Sequence, residues 1–267
     1  GGFCVHFGEI ITVGTDSLVI SHFLGLAVLG VYSNYLLIIG IVTKLSYIVI
    51  NAVRASASNL VVSSSSEKSY EFFRKLNFFS MTMLGFFVTC LITLLNPFIT
   101  IWIGKDYLMT TPLVILAVLV YLTGSQGMQV PIAIYRNATG LYYKDRYMYL
   151  LEGFVNLFIS IILVQKIGLA GVFLGTILSK ILTMLSGSYL IYRYIFHRKL
   201  REYWKNLFGY ILLFVLVGSA VFYTSHLVPC TSWFSFFIMA LICVSMTLTL
   251  YALAFWRTPE FQYFVKK

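Results

Sequence analysis

Charge is what this sequence has least of. Only 10% of its 267 residues are charged, while 60% are hydrophobic and 17% aromatic; globular chains carry roughly 25% charged residues. That deficit excludes an ordinary water-soluble domain. Cysteine is also sparse: Cys4, Cys90, Cys230 and Cys243 lie far apart and form no CxxC or Cys/His cluster. Neither a disulfide framework nor a zinc site is expected, and the thiols read as buried and inert. The signatures of soluble catalysts are missing too: no Walker A loop, no GxGxxG, no GxSxG and no HExxH, and His6, His22, His197 and His226 fall in separate segments. No assembled active site, cofactor or metal is expected, and the chain does not read as an enzyme.

What fills the sequence is long apolar runs. A hydrocarbon core of about 30 Å needs roughly 20 apolar residues per helix, and such stretches follow one another almost end to end. Transmembrane strands would alternate weakly over about 10 residues, whereas these runs are continuous. The fold class is therefore all-α, a polytopic membrane bundle of about eight helices, with candidate spans at roughly 3–22, 26–50, 77–101, 112–135, 148–166, 170–192, 207–228 and 233–255. The opening residues Gly1-Gly2-Phe3-Cys4 carry no initiator Met and no basic leader region, so the chain reads as a fragment.

The connectors give an orientation, because Lys and Arg gather in cytoplasmic loops. Of the 19 basic residues, all but Lys44, Lys105, Lys166 and Lys180 fall after the second, fourth, sixth and eighth spans. Both termini are therefore expected in the cytoplasm, and the net charge of +10 orients the chain and meets anionic lipid heads rather than nucleic acid. Residues 51–76, with Ser63 to Ser66 followed by Glu67, Lys68, Glu71, Arg74 and Lys75, read as a short amphipathic helix on the inner surface. The basic stretch from Arg193 to Lys205 divides a six-helix lobe, 1–200, from an appended helix pair and tail, 201–267.

Ionisable groups inside hydrocarbon cost roughly 2.5 to 3.5 kcal/mol each, so those kept in mid-span border a cavity or a partner. Glu9, Asp16, Lys44 and Lys180 qualify. Depth permits Glu9 with Lys44 and Asp16 with Lys180. Two readings stand: ion pairs that lock helices, or a hydrophilic lumen in which Lys180 attracts a phosphate and Asp16, with Glu9 and Lys44, serves ion coupling. In span four, Gly124, Gly127 and Pro131 loosen the backbone while Ser125, Gln126 and Gln129 supply polar groups. Such a stretch is either an interrupted helix lining a cavity or a simple proline kink. Arg136 stands at the predicted inner mouth, as an anchor or a pyrophosphate ligand. Asn34 and Asn156 are mid-span amides that serve either helix packing or sugar hydroxyls, and Gly171 with Gly175 makes a GxxxG for close helix approach. Tyr142, Tyr143, Tyr147, Trp204 and Trp256 read as interfacial residues.

Several segments carry a family resemblance. Thr15-Asp16 through Gly25, then Gly30-Val31-Tyr32-Ser33-Asn34-Tyr35, Ile101-Trp102-Ile103-Gly104, the cluster from Tyr135-Arg136 to Asp145-Arg146-Tyr147, and Gly168 through Thr176 follow in that order. Together they resemble the C-terminal part of Wzx-type polysaccharide flippases, relatives of the multidrug and toxin extrusion exporters, over roughly residues 10–192. Ser58 stands where the pattern leads one to expect glycine. The resemblance implies two lobes rocking about a central cavity in the bacterial cytoplasmic membrane, moving an undecaprenyl-pyrophosphate-linked oligosaccharide outward, with a polysaccharide polymerase and assembly proteins as partners. It also implies a lobe of about six helices ahead of this chain. A lipid II or drug exporter of the same superfamily shares the fold. A membrane-embedded polymerase would be expected to present a larger outer loop than those here, which hold only Lys105, Asp106, Lys166 and His226 as ionisable residues.

Overall fold

A computed structural model of the chain describes residues 14–124 and 126–265, apart from the side chains of residues 55, 56, 62, 63 and 265. It is an all-α bundle, with no strand among the described residues. In order, the helices are α1 (14–23), α2 (Leu26–Ser63), α3 (Ser66–Trp102), α4 (Thr111–Thr123), α5 (Val130–Ala138), α6 (Arg146–Ile167), α7 (Leu169–Ile191), α8 (Leu200–Ser225), α9 (Trp233–Phe255) and α10 (Pro259–Val265). Among the described residues, six helices are long and apolar enough to cross a membrane: α2, α3, α6, α7, α8 and α9. Of the other two expected spans, the fourth is divided between α4 and α5, and the first lies partly outside the described residues.

The burial pattern is inverted relative to a soluble protein. On α6, Phe154 and Phe158 are 65% and 68% exposed, while Asn156 and Ser160 are fully buried. Such a wide apolar exterior is stable only against lipid, and the polar groups turn inward because hydrocarbon offers them no hydrogen bonds. The chain is a membrane protein on this ground as well as on helix length.

Residues 51–76 are not a separate surface helix. Instead α2 continues to Ser63 and α3 starts at Ser66, leaving a two-residue link. At 38 residues, α2 is about 57 Å long, well beyond a bilayer core. The extension is held by packing, with Ile50, Ala57 and Val61 buried. Close by, an aromatic cluster of Tyr70, Phe73, Tyr135, Tyr192 and Phe196 ties α3, α5 and the end of α7 together through edge-on contacts. Tyr135 Oη donates to Ser69 O at 2.8 Å. At the opposite end, Tyr35 Oη donates to Asn96 Oδ1 (2.5 Å) and receives Met109 N–H (2.9 Å), which pins the α3–α4 loop to α2.

Span four is an interrupted helix. A Cβ on Gly127 would lie 2.3 Å from Leu122 O, so only glycine fits at the break between α4 and α5. α6 and α7 pack antiparallel and close: a Cβ on Gly175 would sit 2.3 Å from Ser160 Oγ, the approach that a GxxxG permits. The hairpin α8–α9 packs along α3, placing Cys243 Sγ 4.0 Å from Cys90 Sγ.

Gly175→Leu should force α6 and α7 apart and cost about 1–3 kcal/mol, read as a lower thermal midpoint in mild detergent. Copper-phenanthroline oxidation should join Cys90 to Cys243, detected as a cross-linked peptide; its absence while a control dithiol oxidises would contradict the α3–α9 packing.

Candidate functional site

A polar stripe runs down one face of α6: Asp145 at its N-terminal flank, then Tyr149, Glu152, Asn156 and Ser160. Spacings of three and four keep these residues on a single helical face. The facing stripe on α7 holds Thr176, Lys180, Thr183 and Ser186. Because α6 and α7 are antiparallel, the two stripes meet rung by rung.

The first rung joins α1 to both helices. Thr176 Oγ1 donates to Asp16 Oδ2 at 2.9 Å, Asn156 Nδ2 donates to Thr176 Oγ1 at 2.9 Å, and Thr15 Oγ1 donates to Asn156 Oδ1 at 3.2 Å. Asp16 is 7% exposed, and its Oδ1 is buried without a hydrogen-bond partner. One turn along, Lys180 Nζ lies 3.3 Å from Glu152 Oε1, and Thr183 Oγ1 donates to Glu152 Oε2 at 2.7 Å. The third rung is Arg136 of α5, whose Nη1 donates to Asp145 Oδ2 at 2.8 Å while Nη2 donates to Tyr149 Oη. Ser186 Oγ also donates to Asp145 Oδ2, at 3.3 Å.

The broken span feeds the same site. Gln129 Nε2 donates to Thr123 O (2.9 Å), left free where α4 ends, and to Lys180 O (3.2 Å). One amide thereby compensates the interrupted backbone and fixes it against α7.

The sequence-level candidates separate accordingly. Asp16, Lys180, Asn156, Gln129 and Arg136 meet in or beside the ladder. Lys180 makes no ion pair with Asp16 as depth allowed; its ion partner is Glu152, while Asp16 accepts from Thr176. Arg136 is buried, 4% exposed, and engaged by Asp145 and Tyr149, so it is not an open cation at an inner mouth. Lys44 is exposed on a face of α2 shared with Leu37, Ile41 and Ile48. Its proposed partner Glu9 lies outside the described residues, as does Ser125. Asn34 is half-buried on α2, and Gln126 is exposed in the break, both apart from the ladder. No cluster of metal-ligating side chains occurs among the described residues.

Glu152 is the residue that sequence reasoning missed. It lies near the start of the predicted span 148–166 and was given no reading there. Its signal was the spacing to Tyr149 and Asn156, a polar stripe on an otherwise apolar helix. In sum, the Glu152–Lys180 pair and the neighbouring Asp16 carboxylate leave one negative charge in excess when all are ionised. Compared with known proteins, the chain matches no family model, no curated protein and no solved structure.

Removing one partner of a buried ion pair costs several kcal/mol because the other is left uncompensated. Glu152→Gln should therefore destabilise by about 3 kcal/mol, and Glu152→Gln with Lys180→Met should recover more than half of that. Thermal unfolding of the single and double variants gives the coupling directly.

Proposed function

We propose that this chain forms a lobe of an alternating-access flippase that moves undecaprenyl-pyrophosphate-linked oligosaccharides across the bacterial cytoplasmic membrane. The observation that carries this reading is the grouping of buried Asp16 and Glu152 with half-buried Lys180 beside an interrupted helix, inside a bundle with a lipid-facing exterior. Charges in hydrocarbon are costly and mark ion or substrate paths, and a broken helix supplies polar backbone at membrane depth where it lines such a path. The sequence resemblance over residues 10–192 supplies the substrate class.

The geometry divides the labour differently from the residues taken singly. Arg136, Asp145 and Tyr149 form a neutral, buried lock between α5 and α6. Lys180, neutralised by Glu152, is a switchable ion pair rather than a standing phosphate ligand. Asp16 keeps one carboxylate oxygen free, and the trio carries a surplus negative charge. Uptake of a proton or a sodium ion at Asp16 cancels that surplus, and its release restores it, so the packing of α1 against α6 and α7 becomes sensitive to ion binding. The exposed face of α2 that bears Lys44 is the surface a second lobe would enclose, since an isolated lysine among Leu37, Ile41 and Ile48 is costly against lipid.

The full-length gene, placed in a host lacking its own flippase, should restore surface polysaccharide. Asp16→Ala and Lys180→Ala should each fail to do so at unchanged protein level in the membrane. Normal complementation by both variants would reject the coupling role, and failure of the wild type across several polysaccharide backgrounds would reject the flippase reading.

A further inference from the structure

Away from the ladder, a hollow of about 280 Å³ with both polar and aromatic walls opens between α3, α8 and α10. It lies at the end of the bundle where the basic connectors gather. Arg74 and Asn77 of α3, Tyr203 and Lys205 of α8, and Glu260 of α10 line it. Arg74 is paired with Glu260, while Lys205 has no acidic partner within 4 Å among the described residues. These three groups therefore sum to one positive charge. Asn77 and Tyr203 are 9% and 2% exposed, and Asn77 Oδ1 and Tyr203 Oη are buried without hydrogen-bond partners. Two unsatisfied polar groups lining one hollow are expensive unless something completes them.

The hollow shares Phe78 and Phe255 with an apolar groove of about 550 Å³ between α3, α9 and α10. The rings of Phe78 and Phe255 meet edge-on with centroids 4.9 Å apart. Beyond them the groove is walled by Met83, Phe86, Leu248 and Phe264. Walls bearing cationic and polar groups thus give way to mainly apolar ones across two aromatic rings, at the end of the bundle where lipid head groups meet the protein.

We propose that the hollow and groove together bind one anionic glycerophospholipid, with its phosphodiester head group beside Lys205 and an acyl chain along Met83 and Phe86. A phosphodiester carries one negative charge, equal and opposite to that of the hollow. The Tyr203 hydroxyl donates to a phosphate oxygen, and Asn77 Oδ1 accepts from a head-group hydroxyl, so both orphan atoms gain the partners they lack. Phosphatidylglycerol supplies these features; phosphatidylcholine has no hydroxyl donor and no net charge, and inorganic phosphate has no chain for the groove. This site is independent of the transport reading, since it touches none of Asp16, Glu152 and Lys180.

The test uses purified protein in mild detergent, with native mass spectrometry for binding and thermal unfolding for linkage. Dimyristoyl phosphatidylglycerol should bind at least about tenfold more tightly than the phosphatidylcholine of equal chain length and raise the midpoint by about 3–5 °C through mass action. Lys205→Gln and Asn77→Leu should each weaken the preference about tenfold while leaving the lipid-free midpoint close to wild type. Met83→Trp, which fills the groove, should weaken phosphatidylglycerol binding as well. Equal binding of the two lipids, or unchanged affinity in Lys205→Gln, overturns the head-group assignment. A matching shift with inorganic phosphate alone, or unchanged lipid binding in Met83→Trp, overturns the assignment to a lipid.

Discussion

In hydrocarbon, every buried polar group must find its partner within the protein, because no water is there to substitute. The contact between α6 and α7 is where that constraint is met most fully. Gly171 and Gly175 let the helices approach closely, and closeness puts Asn156 against Thr176 and Glu152 against Lys180 and Thr183. Widening the gap by a methyl group at Gly175 would disturb packing and pairing together. The same few ångströms therefore control both the stability of the bundle and the electrostatics of the Glu152–Lys180 pair.

The rungs differ in how firmly their charge is compensated. Arg136 meets Asp145 in a neutral pair backed by Tyr149, with side chains 5% and 3% exposed, a geometry that holds α5 to α6. Lys180 meets Glu152 at a longer distance, and Asp16 adds a second carboxylate one turn away. Surplus charge of one sign in a low-dielectric region is a strong field acting on few groups. In the proposed coupling, uptake of a cation there would act on the packing of α1. Gln129 links this rung to the broken span through Lys180 O, so any movement of α7 there is felt where the backbone is least regular.

At the far side of α3 the same constraint works through different chemistry. The α8–α9 hairpin is held by aromatic and sulfur contacts rather than by ion pairs, and α10 closes the basic end through the Arg74–Glu260 contact. α3 therefore has two faces, one toward the charged lobe and one toward the hairpin. The unsatisfied atoms of Asn77 and Tyr203 lie on the hairpin side, where lipid head groups are the polar partners within reach.

Composition and apolar run length alone determined that the chain is a helical membrane bundle, because a bilayer sets a length and a polarity that few other environments impose. The glycines and proline of span four pointed to either an interruption or a kink, and GxxxG to a close approach, since both are local backbone properties. Which charges meet was not legible. Depth placed Lys180 level with Asp16, yet Glu152 became its partner, because pairing depends on the rotation and separation of helices that are distant in sequence. The segment 51–76 went the same way: its polar serines and charges suggested a surface helix, whereas burial of Ala57, Val61 and Phe73 extended α2 and α3 instead. Sequence fixes what each helix must hide; only packing decides against which neighbour it hides it.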